Sequence, residues 1–105
     1  MFTYLIRCED GSLYCGYTTD IANRYKKHKD GRGAKYTRNK KVKSLELYIE
    51  LYSKSDAMRL EALIKNRFSK KEKEELINGD DSLIDQFQLD YKRIVRRPDM
   101  DILYT

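Results

Sequence analysis

The chain has 105 residues and a formal net charge of +5, with 37% of its residues charged and 40% hydrophobic. That length holds one domain with a modest core, not two. No run of 18 apolar residues occurs and MFTYLIRCED lacks the apolar stretch of a secretory leader, so a soluble cytoplasmic protein without membrane partners is expected.

Residues 2–8 and 13–18 are rich in aromatic and β-branched types with EDGS between them, which predicts a hairpin. A three-residue loop Asp10-Gly11-Ser12, with Gly11 left-handed, puts even-numbered positions on one face, Tyr4 and Tyr14 among them. A two- or four-residue loop separates the two tyrosines. Cys8 and Cys15 lack the cysteine or histidine pairs of a zinc site and read as small apolar strand residues, kept reduced.

Thr19 or Asp20 is placed to cap a helix running to about Asp30, stopped by GRG. Its stripe of Ile21, Arg24, Tyr25 and His28 puts Arg24 and His28, the only histidine, one turn apart on one face. SLELYIELYS alternates as a strand, with Leu45, Leu47, Ile49 and Leu51 on one side and Glu46, Tyr48, Glu50 and Tyr52 on the other. Ser55 is expected to cap a helix over 56–68 with Ala57, Leu60, Ile64 and Phe68 inward, and Glu61 falls inside that stripe. SKKE at 69–72 is a capping-box signature opening a short helix that ends at Asn78-Gly79. A last amphipathic helix from Ser82, using Ile84, Phe87, Tyr91 and Ile94, is expected to stop before Pro98. The resulting expectation is an α+β fold, an α/β sandwich with a small three-stranded, mainly antiparallel sheet flanked by helices and an extra C-terminal helix.

Charge is unevenly placed. Residues 1–53 hold 11 Lys or Arg against 6 Asp or Glu, a balance of +5; residues 54–105 hold 11 against 11, a balance of zero. Between Arg24 and Lys43 stand ten basic side chains, including Lys26, Lys27, Lys35, Arg38, Lys40 and Lys41, against the single acid Asp30. Such density suits a polyanion, most simply a nucleic-acid backbone, and the interleaved Tyr25 and Tyr36 suit stacking on bases. The plain alternative is a solvated lysine-rich loop.

Glu61 is the most informative single residue. A carboxylate on an apolar face is costly unless paired or bound to a metal. It fits a salt bridge to Arg24 or Lys65, or a hard-cation site in which water and phosphate oxygens complete the shell. Arg24 is equally open to a structural pairing or to forking onto a phosphate.

A strand tyrosine, a tyrosine-x-glycine ten positions on, a helical arginine and a later helical glutamate together resemble the GIY-YIG nucleases. That family includes homing endonucleases, restriction enzymes and the incision subunit of bacterial nucleotide-excision repair. The similarity is greatest to its small stand-alone members, through YLIRCEDGSLYCGYTTDIANRYKKHKDGRGAKYTR and SKSDAMRLEALIK, and covers residues 2–77. Residues 1–77 would form the family domain and 78–105 a helical extension on or beside it. Phe2-Thr3-Tyr4 stands at the GIY position and Tyr14-Cys15-Gly16 at YIG, while His28 stands where the family carries tyrosine or histidine.

The resemblance implies metal-dependent hydrolysis of a phosphodiester in nucleic acid, with DNA expected ahead of RNA and the choice between them left open by the sequence. Glu61 would hold Mg²⁺ or Mn²⁺ and Arg24 would stabilise the five-coordinate phosphorus. Tyr4, Tyr14 or His28 would take the proton of the attacking water, and Gly16 would let backbone approach closely. Lys26, Lys27, Lys35, Arg38, Lys40 and Lys41 would hold the strands. Two rival readings are a non-catalytic nucleic-acid binder on the same fold, and a protein-interaction module using the C-terminal helix and the tail DMDILYT.

Overall fold

The computed structural model describes residues 1–99; the tail DMDILYT lies outside the described residues apart from Asp99. Its elements, in order, are β1 (Phe2–Cys8), β2 (Leu13–Thr18), α1 (Ile21–Lys29), α2 (Lys35–Lys40), β3 (Val42–Leu51), α3 (Lys54–Arg67), α4 (Lys70–Ile77), α5 (Ser82–Asp85) and β4 (Tyr91–Arg96). The sheet runs β2-β1-β3-β4 with every neighbouring pair antiparallel. The fold is α+β as expected, but the sheet has four strands rather than three.

The hairpin connection is Glu9-Asp10-Gly11, one residue earlier than expected, closed by Cys8 N–H on the Ser12 carbonyl at 2.8 Å. It still spans three residues, and Gly11 adopts φ +86. The parity argument therefore holds: Tyr4 pairs with Gly16 and Ile6 with Tyr14, so Tyr4 and Tyr14 share a face.

Both faces of the sheet are covered. On one, Leu5, Cys15, Leu47, Ile49 and Leu51 pack with Ala57, Leu60 and Ile64 of α3, then with Leu76, Ile77 and Ile84. On the other, Tyr4, Ile6, Leu45 and Tyr48 pack with Ile21 and Tyr25 of α1. Thr3 and Phe2 serve packing: Thr3 Oγ1 donates to the Ala57 carbonyl at 2.8 Å, and Phe2 meets Tyr48 edge-on. Cys8 and Cys15 are free and buried.

Four expectations need correction. Leu45 does not share a side with Leu47, because Leu5 pairs with Leu47 while Ile6 pairs with Leu45. Glu46 is thus a bulge, and it turns Leu45 toward the Tyr48 face. The cap of α3 is Ser53, whose hydroxyl accepts from Asp56 N–H at 3.1 Å, since β3 ends at Leu51 and the helix follows at once. Lys35–Lys40, read only as a basic segment, forms the short helix α2.

The fourth is the C-terminal helix. Only Ser82–Asp85 is helical; Gln88 takes φ 56, which breaks the turn, and Tyr91–Arg96 joins the edge of β3 as β4. Ile94 sits opposite Ile49 and Val95 opposite Tyr48, so the apolar residues serve alternate faces. An open β3 edge offering backbone partners outweighs the three-residue spacing of the stripe. The capping box at Ser69 and Glu72, by contrast, is present in full. Among the described residues no helix is long and apolar enough to cross a membrane.

Candidate active site

Tyr4, Tyr14, Gly16, Tyr17, Thr18, Arg24 and Glu61 line a cleft of about 330 Å³ along β2. β2 borders it with Tyr14 and Gly16 from one face and Tyr17 from the other. α1 adds Arg24, placed by the cap at Asp20, whose carboxylate accepts from Asn23 N–H at 3.0 Å. α3 adds Glu61.

Tyr4 forms the floor, only 1% exposed. Its hydroxyl lies 2.8 Å from His28 Nε2 and accepts a long 3.5 Å contact from Arg24 Nε. Burial pushes the phenol up to about 12, a rise that the Arg24 hydrogen bond only partly offsets. His28 does not reach the cleft. It lies behind Tyr4, buried, with Nδ1 2.7 Å from Thr37 Oγ1, and Thr37 in turn donates to the Ala34 carbonyl at 2.9 Å. Burial first, and the Arg24 charge second, lower His28 to about 4, so the imidazole is neutral at physiological pH.

Two glycines fix these rings. A β-carbon on Gly16 would stand 2.4 Å from Tyr4 Oη, and one on Gly33 would stand 2.3 Å from His28 Nδ1. Tyr14 stacks on Tyr36 with ring centroids 5.9 Å apart, and Lys65 Nζ lies over the Tyr14 ring. Burial lifts the Cys15 thiol to about 12 and makes it an inert apolar group within Tyr14-Cys15-Gly16.

Glu61 stands at the edge of its apolar stripe, with its side chain 19% exposed and Lys65 Nζ 3.3 Å away; Lys65 is 43% exposed. Among the described residues no group of three or more His, Cys, Asp or Glu converges on one point. A single carboxylate facing a polar cleft still suits a hard cation that takes most of its ligands from water and phosphate.

The basic residues Lys26 and Lys27 on α1, and Lys35, Arg38 and Lys40 on α2, are exposed, as is Lys41. Lys40 is engaged by Asp10 at 2.9 Å. Of the residues singled out in the sequence, Tyr4, Tyr14, Gly16, Arg24 and Glu61 meet around one cleft, and His28 sits behind its floor. Gly33 and Thr37 were not among them. They lie in the GAKYTR run but bear on the site only through His28.

The family model described as the GIY-YIG catalytic domain matches residues 1–75. The chain belongs to the GIY-YIG family. This is a nuclease superfamily, and the chain's relatives in it are small single-domain proteins. UPF0213 protein YsiG of Lactococcus lactis is 38% identical over 95 residues, covering 88% of this chain and 91% of that protein. UPF0213 protein FN1575 of Fusobacterium nucleatum is 43% identical over 83 residues, covering 79% and 82%. The solution structure of UPF0213 protein BH0048 from Bacillus halodurans aligns over 75% of this GIY-YIG chain and 83% of that one, at 42% identity and a TM-score of 0.48.

Proposed function

We propose that this GIY-YIG protein is a divalent-metal-dependent nuclease that hydrolyses phosphodiester bonds in nucleic acid, DNA before RNA, in the cytoplasm. The observation that carries the reading is the placement of Tyr4. Its hydroxyl lies between Arg24 and His28 on the floor of a cleft that Glu61 walls. DNA is preferred because the homing, restriction and repair members that the chain resembles act on DNA.

Glu61 would hold Mg²⁺ or Mn²⁺, which when bound neutralises charge at the phosphate and at the departing oxygen. Arg24 presents its guanidinium to the non-bridging oxygens, where negative charge grows as five-coordinate phosphorus forms. An in-line water gives its proton to Tyr4 Oη while the Tyr4 proton passes to His28 Nε2. The new P–O bond forms as the P–O3′ bond breaks, and the 3′ oxygen takes a proton from solvent. Tyr4 ends the step as neutral as it began, so its high pKa is no obstacle. A phosphate seated on Arg24 also offsets one of the two causes that depress His28, so the imidazole is a better base with substrate in place. Lys26, Lys27, Lys35, Arg38, Lys40 and Lys41 would hold the flanking backbone.

The test is incubation of the protein and its Glu61→Gln variant with branched, single-stranded and duplex DNA and RNA in Mg²⁺, Mn²⁺ or EDTA. Cleavage by the wild-type chain with metal, absent in EDTA and in the variant, is expected. Salt-sensitive binding without cleavage of any substrate would leave a non-catalytic binder in place of the enzyme.

A further inference from the structure

Thr37 has a single hydroxyl hydrogen, and the Ala34 carbonyl 2.9 Å away can only accept it. With that hydrogen committed, Thr37 Oγ1 meets His28 Nδ1 at 2.7 Å as an acceptor, which requires the ring proton to be on Nδ1. Nε2 is then an open lone pair, and the hydroxyl 2.8 Å from it, that of Tyr4, must donate. The chain of donors thus runs Tyr4 to His28 to Thr37 to Ala34. The other tautomer would set two donors face to face at the Tyr4 end unless Tyr4 turned its hydrogen away, and would leave Nδ1 and Thr37 Oγ1 as facing acceptors unless Thr37 gave up Ala34. Packing removes the ring's freedom to move away: His28 and Thr37 are each 1% exposed, and the backbone of Gly33 lies against the imidazole.

We propose that Thr37 is a positioning residue that holds His28 in its Nδ1–H tautomer and so keeps Nε2 open to receive the Tyr4 proton. α2 therefore serves the site through a buried hydroxyl as well as through its exposed cations. The assignment of a catalytic consequence rests on the nuclease reading above, while the tautomer itself does not.

His28 is the only histidine, so its ring nitrogens are read without ambiguity by long-range proton–nitrogen NMR correlations. This measurement uses the metal-free protein without substrate. The wild-type chain is expected to show a protonated Nδ1 and an unprotonated Nε2 at neutral pH. Thr37→Val, which keeps shape and removes the acceptor, is expected to shift the ring toward the Nε2–H tautomer; Thr37→Ser is expected to retain Nδ1–H. On a cleavable substrate, Thr37→Val should lower single-turnover cleavage about 10- to 100-fold with substrate affinity unchanged, and Thr37→Ser should restore it. An Nε2–H ring in the wild-type protein overturns the proposal, as does a Thr37→Val ring that stays Nδ1–H. Should Thr37→Val fail to fold, the wild-type and Thr37→Ser rings still decide. Absence of cleavage in every variant, with the tautomers as expected, overturns the nuclease reading and leaves the role of Thr37 in the tautomer standing.

Discussion

Gly16 lies beneath the hydroxyl end of Tyr4, so close that a β-carbon there would stand 2.4 Å from Oη and 2.6 Å from Cζ. The two are cross-strand partners, and the ring of one occupies the space that the other leaves empty. Gly16→Ala must therefore push Tyr4 off its hydrogen bond to His28. The expected cost is about 1–3 kcal/mol of stability, by urea unfolding, together with loss of cleavage. Full stability and activity in the variant would show that Tyr4 has room to retreat.

Glu61→Gln separates two uses of that carboxylate. An ion pair buried on an apolar face would lose about 3–5 kcal/mol on being broken. The observed pair is with Lys65, which is 43% exposed, so the loss without metal should stay within about 1 kcal/mol. Mn²⁺ binding, followed by paramagnetic broadening of Tyr4, Tyr14 and Arg24 signals, should disappear in the variant. Broadening that persists would remove Glu61 as the metal ligand.

Of the fold, most strands and caps are legible because their causes are local. The hairpin parity follows from turn length, and the Ser69 capping box from two side chains three residues apart. What the sequence conceals depends on distant partners. Tyr91, Ile94 and Val95 fit a helix or a strand until the free edge of β3 is known, and Glu46 fits an alternating strand until its partner β1 shows it to be a bulge. The site divides the same way. Tyr4, Tyr14, Arg24 and Glu61 are recognisable from residue type and spacing. Thr37 is not, since a threonine in a basic run has no visible role until α2 packs it on His28.

His28 supports a pH prediction with a definite sign. Its folded value of about 4 lies below the ordinary 6.5, so between those limits the unfolded chain binds a proton that the folded chain refuses. The stabilising effect is complete above about 6.5 and drains away as pH falls toward 4. The stability advantage of the wild-type chain over His28→Gln should shrink across that window. The His28 Cε1 proton shift should stay flat from about pH 8 to 5; a midpoint near 6.5 would place the ring in contact with water.

Lys26 and Lys27 are exposed on α1, whereas Lys40 is held by Asp10. Replacing Lys26 and Lys27 by alanine should flatten the salt dependence of DNA binding by about 0.9 log units per log unit of salt for each phosphate no longer neutralised. Lys40→Ala should flatten it less. Equal slopes for these variants and the wild-type chain would take the DNA backbone away from this surface.

Leu5 and Ile6 are adjacent in the chain yet belong to different apolar clusters, and the Glu46 bulge makes Leu45 and Leu47 divide in the same manner. β1 and β3 are therefore walls common to two rooms. Neither room can be opened while the other stays shut, so the floor of the cleft has no private route to disorder. Amides of β1 and β3 should exchange with deuterium only through complete unfolding, at the global free energy, while those of α2 exchange sooner. Tyr4, only 1% exposed, is then a fixed point of the fold, carried by a sheet that opens only as a whole.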